Sequence, residues 1–212
     1  MIIEIDNLSL AVPGRTLFTG LTCAAGPGQS LAVVGPSGVG KSTLVSTILG
    51  LHRPASGTIT ILGRNISAAS PREALSMRRE HMGVVFQHGE LMDELTATEN
   101  VAVASLMVGD DDLAISKARA LLEKFGVPPG TKARDLSGGE RQRTAFARAL
   151  VTEPELIIAD EPTGSLDTYT RDQVADDLFA EVARRGAALI VVTHDLTVAE
   201  RATTTIELDR YA

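Results

Sequence analysis

The sequence predicts an α/β fold built around a mainly parallel sheet. Two runs, 156–159 and 188–192, are apolar without interruption over strand length, the pattern of parallel strands covered on both faces. A third run, 30–34, enters a glycine-rich stretch at 35–42 and then 43–51, which is apolar at helical spacing. The order is therefore strand, loop, helix. Between 96 and 125 two segments carry the helical period and are followed by breakers at Gly126 and Pro128-Pro129, so a helical insert is expected within the sheet domain.

The remaining elements follow in order. Residues 2–10 alternate loosely and read as a strand, and Gly26-Pro27-Gly28 reads as a turn. A strand is expected at 57–62, and a helix at 71–80 with Pro71 at its start. Residues 82–86 form a strand running into Gln87. Helices are expected at 96–106 and 113–125. The helix after Leu136 opens Ser137-Gly138-Gly139-Glu140, a capping-box pattern with Ser137 as cap and Glu140 three residues on. A further helix spans 172–185, and 206–208 is a last short strand. The expected organisation is one domain over 1–212, with a core from 1–87 and 153–212 and a helical lobe from about 88 to 152.

Bulk properties narrow the possible functions. A chain of 212 residues buries a core without covalent help, and its single cysteine, Cys23, forms no internal disulfide. No signal-peptide pattern is visible, and no apolar run is long enough to span a bilayer. Net charge is −7, aromatics make up 3% of the residues and there is no Trp, a poor basis for gripping nucleic acid.

The chemistry gathers at strand ends, where open α/β sheets build their sites. Gly35, Pro36, Ser37, Gly38, Val39, Gly40, Lys41 and Ser42 match G-x-x-x-x-G-K-S, with Thr43 next. Glycines let backbone N–H groups converge on phosphate oxygens at the positive end of the following helix. In that setting Lys41 reaches the β- and γ-phosphates and Ser42 binds Mg²⁺. The strand at 156–159 ends in Asp160 and Glu161. Asp160 would hold Mg²⁺ opposite Ser42, and Glu161 would polarise an attacking water. Gln87 and His194 each follow a strand, as candidates for sensing Mg²⁺ and for contacting the γ-phosphate. Asp167 lies in Ser165-Leu166-Asp167, just beyond Glu161.

Taken together, the glycine loop, Gln87, Leu136-Ser137-Gly138-Gly139-Glu140, the 156–161 strand, Ser165-Leu166-Asp167 and His194 resemble the ATP-binding-cassette (ABC) ATPases, in that family's order and over essentially the whole chain. The segments 83–87 and 159–167 are similar to the subgroup serving macrolide export, lipoprotein release, haem export, peptide resistance and cell division. The resemblance implies a P-loop NTPase core of RecA type with an antiparallel β subdomain and an inserted α-helical subdomain. It implies ATP and Mg²⁺ as cofactors, with Ser42, Gln87 and Asp160 around the metal and Glu161 and His194 as catalytic residues. It also implies a head-to-tail dimer in which Ser137, Gly138, Gly139 and Glu140 meet the partner's nucleotide and Asp167 couples the halves. An integral-membrane permease would dock near 88–110, placing the protein peripherally on the cytoplasmic face of the membrane. An efflux or mechanotransmission output leads. A regulatory ATPase of an envelope complex is the alternative, and a soluble nucleic-acid-associated ATPase stands behind both. Two positions depart from the family: Glu140 stands where Gln is commoner, and Val12 stands where an aromatic usually stacks on adenine.

Overall fold

The computed structural model describes residues 1–87, 89–109 and 113–212. A five-stranded parallel sheet has the order β6-β7-β8-β3-β9, formed by β3 (Ser30–Val34), β6 (Met82–Val85), β7 (Leu156–Asp160), β8 (Ala188–Thr193) and β9 (Thr204–Glu207). A four-stranded antiparallel sheet has the order β2-β1-β4-β5, from β1 (Ile3–Val12), β2 (Arg15–Ala25), β4 (Ser56–Ile61) and β5 (Arg64–Asn65). The helices are α1 (Lys41–Ile48), α2 (Pro71–His81), α3 (Ala97–Val108), α4 (Ala114–Lys124), α5 (Gly138–Leu150), α6 (Thr168–Arg185) and the short α7 (Leu196–Ala199).

The unbroken apolar runs have a direct cause in this layering. Alternate side chains of a strand point to opposite faces. Leu31, Val33, Leu156, Ile158, Ile190 and Val192 enter a core shared with α1 and the antiparallel sheet. Their neighbours Ala32, Val34, Ile157, Ala159, Leu189 and Val191 enter a second core with α3, α4, α5 and α6. Both faces are dry, so no polar position survives inside these strands.

Several boundaries differ from the sequence reading for physical reasons. α6 begins at Thr168 rather than 172, because Asp167 caps it by accepting from the Tyr169 and Thr170 N–H groups, each at 3.1 Å. α1 begins at Lys41, directly on the glycine loop, and ends at Ile48. β2 has no counterpart in the sequence reading. Thr, Gly and Cys interrupt its alternation, and β1 pairs with it through three register shifts. His88 and Asp110, the ends of the expected permease-facing stretch, lie outside the described residues.

Candidate active site

The loop joining β3 to α1 is shaped by glycine. Gly40, the N-cap residue of α1, has φ 115°, a conformation that side-chain-bearing residues rarely adopt. A Cβ there would also press on Leu17 and Phe18 of β2 at 3.2–3.3 Å. The loop is thus seated on the antiparallel sheet with the positive end of α1 opening above it. Lys41 Nζ folds back over the loop and donates to the carbonyls of Gly35 (2.7 Å) and Pro36 (3.2 Å).

Four parallel strands deliver their C-terminal ends to one cleft of about 420 Å³. Ser37, Gly38, Gly40, Lys41, Ser42 and Thr43 line it from the β3 loop. Gln87 comes from the end of β6, Asp160 and Glu161 from β7, and His194 from β8. Gly35, Pro36 and Val39 complete the loop without lining the cleft, and Val39 is buried beneath it. At the outer end stand Val12 and Leu17, an aliphatic wall with no ring.

Electrostatics differ between the two adjacent acids. Burial first, and then the neighbouring Glu161 carboxylate, push the Asp160 carboxyl up. The Ser42 hydroxyl and the Lys41 ammonium act the other way. A cation beside Asp160 would relieve that destabilised charge. The oxygen donors there are a carboxylate, a hydroxyl and an amide, a hard set that suits Mg²⁺.

Glu161 sits on a left-handed backbone turn, φ 47°, unusual for a residue with a side chain. Its N–H donates to Val192 O at 2.8 Å, which holds the turn against β8. Its Oε2 lies 2.9 Å from His194 Nδ1 and accepts from the Thr193 hydroxyl (3.1 Å) and the His194 N–H (3.3 Å). Thr193 is buried and escaped the sequence reading. The only signal for it was a hydroxyl at the end of an otherwise apolar strand.

The residues at the start of α5 stand apart from this cleft. Ser137 caps α5: its Oγ accepts from Glu140 N at 3.3 Å, and its N–H and hydroxyl donate to Glu140 Oε2 at 2.8 and 2.7 Å. These bonds, the Ser137 hydroxyl foremost, hold the Glu140 carboxyl below the usual range. Gly139 admits no side chain, since a Cβ would come within 2.5 Å of Thr170 on α6. Neither 137–140 nor Asp167 lines the cleft.

Sequence reasoning also passed over a set of tethers. Gln142 of α5 is buried and donates to Phe86 O at 3.1 Å. Arg148 donates to Gly89 O and Glu90 O, each at 2.7 Å. Asn100 of α3 donates to the Met92 and Leu95 carbonyls and accepts from Met92 N. The segment after Gln87 is thereby tied to α5, whose first cap is Ser137. A Gln and an Asn at core-facing positions of α5 and α3 were the signal available.

A parallel sheet with a glycine loop opening a helix, paired acids on a neighbouring strand and polar residues at two further strand ends defines a nucleotide-hydrolysing enzyme of the P-loop class. The ABC transporter family matches residues 18–164, and the chain belongs to that family. It is 42% identical over 188 residues to the lipoprotein-releasing system ATP-binding protein LolD of Coxiella burnetii (strain RSA 493 / Nine Mile phase I), covering 87% of this chain and 81% of that one. It is likewise 42% identical to the macrolide export ATP-binding/permease protein MacB of Rhodopseudomonas palustris (strain BisB18), over 86% of this chain but only 28% of that longer one. Among solved structures, the dimeric post-hydrolysis state of the ATP-binding cassette MJ0796 bound to ADP and Pi superposes with a TM-score of 0.83 at 28% identity, over 97% of this chain and 94% of that one. The chain is an ABC-type ATPase, the ATP-binding and ATP-hydrolysing kind of subunit that powers membrane transport, and its relatives fall in the subgroup expected from residues 83–87 and 159–167.

Proposed function

We propose that this chain powers a separate permease for efflux or mechanotransmission, working as a head-to-tail pair that sandwiches two ATP molecules. One observation carries the reading. The cleft gathers every element needed to hold a triphosphate except a second anion-binding surface, and a candidate stands elsewhere, at the N-terminus of α5, where Ser137 and Gly138 are exposed and Gly139 is buried behind them. A partner copy supplies that surface to this cleft, and this chain returns it to the partner's.

Within each cleft the backbone N–H groups of the 35–43 loop cradle the phosphates, and Lys41 exchanges its loop carbonyls for the β- and γ-phosphate oxygens. Ser42, Asp160 and Gln87 would hold Mg²⁺, which neutralises charge on the phosphates when bound. Glu161 orients and deprotonates the attacking water, and His194 holds Glu161 on one side and reaches the γ-phosphate on the other. Asp167, at the cap of α6, faces the partner. The γ-phosphate joins the two copies, and its loss lets them part.

The output leaves through the segment after Gln87. Residues 88–152 act as the moving lobe, because Gln142 and Arg148 tie that segment to α5. The permease seat is a mainly apolar groove of about 400 Å³ lined by Leu75, Met82, Val84, Met92, Val103 and Met107, which borders the lobe. Met92 is exposed there, whereas Leu91 packs inside. Attachment to the cytoplasmic face of the membrane runs through the permease in this reading; among the described residues no helix is long and apolar enough to cross a membrane.

ATPase assay of the wild type beside Glu161→Gln tests the hydrolytic reading. The variant should keep nucleotide binding and lose at least about 100-fold in kcat. Wild-type turnover in Glu161→Gln would remove Glu161 from the chemistry.

A further inference from the structure

The proposed hydrolysis leaves a partly shielded set of charges unused. It lies between α6 and the segment carrying His194. Arg171, one turn into α6, donates from Nη1 to Asp195 Oδ2 at 3.0 Å and from Nε to Asp172 Oδ1 at 3.1 Å. Both partners of the first pair are largely shielded, Arg171 at 20% side-chain exposure and Asp195 at 23%. Further along, Arg201 donates to Asp172 Oδ1 (3.1 Å), Asp176 Oδ1 (2.8 Å) and the Thr197 carbonyl (2.6 Å). The chain on either side of α7 is therefore clamped to α6 at two heights.

Asp195 is the residue after His194, and its three bonds leave it little freedom. Oδ1 accepts from Thr197 N at 2.8 Å, Oδ2 is held by Arg171, and its N–H donates to the Thr193 hydroxyl at 3.0 Å. That same hydroxyl donates to Glu161 Oε2 at 3.1 Å. A continuous path thus runs from the first turn of α6, through Arg171 and Asp195, to the His194–Glu161 pair. At its far end is Asp167, the cap of α6, which accepts from Tyr169 and Thr170 N–H.

We propose that Arg171 is a positioning residue: through Asp195 it sets where His194 stands against Glu161, and it carries the arrival of a second copy at Asp167 to that pair. The inference rests on the reading that Glu161 and His194 serve hydrolysis. Arg suits the task because its fork engages two carboxylates in a fixed plane. A small displacement of an activating pair lowers turnover without changing how phosphate is gripped.

The test is steady-state ATPase of the full chain for wild type, Arg171→Met, Arg171→Lys and Asp195→Asn, with Glu161→Gln as reference. Arg171→Met keeps the apolar stem and removes the charge. It should lower kcat about tenfold with KM for ATP within about twofold, since the lost interaction serves the reacting geometry and not binding. Arg171→Lys, which keeps the charge but not the fork, should recover part of that loss. Combining Arg171→Met with Asp195→Asn should cost no more than the worse single change, because both cut the same path. Wild-type kcat in Arg171→Met overturns the proposal. So does a loss that Lys fails to rescue and that comes with an equal rise in KM or a fall in Tm. If Arg171→Met does not fold, Asp195→Asn decides, since an amide preserves the α7 cap: unchanged kcat overturns the proposal, and a kcat loss at constant KM supports it. Full turnover in Glu161→Gln would instead sink the underlying hydrolytic reading, whatever Arg171 does.

Discussion

Glu140 brings a negative charge to a surface proposed to meet a triphosphate. Its carboxylate is turned back on Ser137 and stays ionised through those bonds. Glutamine would keep the same cap while removing the charge. Exposed charge interactions are worth about 0.2–1 kcal/mol, so Glu140→Gln should tighten ATP-induced dimerisation by about 1.4- to fivefold and leave the melting curve unchanged. Equal dimer affinity in the two proteins would show that the carboxylate does not reach the phosphates. Val12 makes a second residue-scale claim. With Leu17 it offers aliphatic contact only, and no ring for a base to stack on. ATP and GTP should therefore turn over comparably, and Val12→Tyr should shift the preference toward ATP. A strong ATP preference in the wild type would mean that the base is read elsewhere.

At the element scale, α4 and α6 are joined by an ion cluster. Glu181 is 4% exposed and meets Lys124 of α4 together with Arg184 and Arg185 of its own helix. The Arg184 bond, opposed by burial and reinforced by Lys124 and Arg185, holds its carboxyl far below the usual 4.5. The folded pKa is depressed, so the stabilisation is complete above about pH 4.5 and fades as pH falls toward the folded value. Glu181→Gln should cost about 2 kcal/mol at pH 7, or about 4–8 °C in Tm for a chain of this size. The gap between variant and wild type should narrow in acid, and a gap that stays constant down to pH 3.5 would assign the loss to packing instead.

The elements also mark where the sequence was legible. The 30–51 unit was readable because strand, loop and helix are each specified by neighbouring residues. The start of α6 was not, because Thr168-Tyr169-Thr170 are modest helix formers and Asp167 acts as the cap. β2 stayed hidden because Thr, Gly and Cys interrupt its alternation and its pairing with β1, across the tight turn at Pro13-Gly14, shifts register three times. At the site, Lys41, Ser42, Gln87, Asp160, Glu161 and His194 line the common cleft, whereas Gly35, Pro36, Val39 and Asp167 do not. The tethers Gln142, Arg148, Asn100 and Thr193 could not be read, since a buried polar residue declares its partner only in three dimensions.

On the scale of the whole molecule, the two surfaces proposed to bind phosphate belong to one chain, yet only one of them borders the cleft. The proposed answer is a second copy, and sedimentation velocity of Glu161→Gln tests it most directly. A single chain is 22.3 kDa. With Mg·ATP the variant should sediment as a dimer and with ADP as a monomer, and adding Ser137→Arg should keep it monomeric in both. A species that stays monomeric with Mg·ATP, or an ATP-dependent dimer indifferent to Ser137→Arg, would contradict the account.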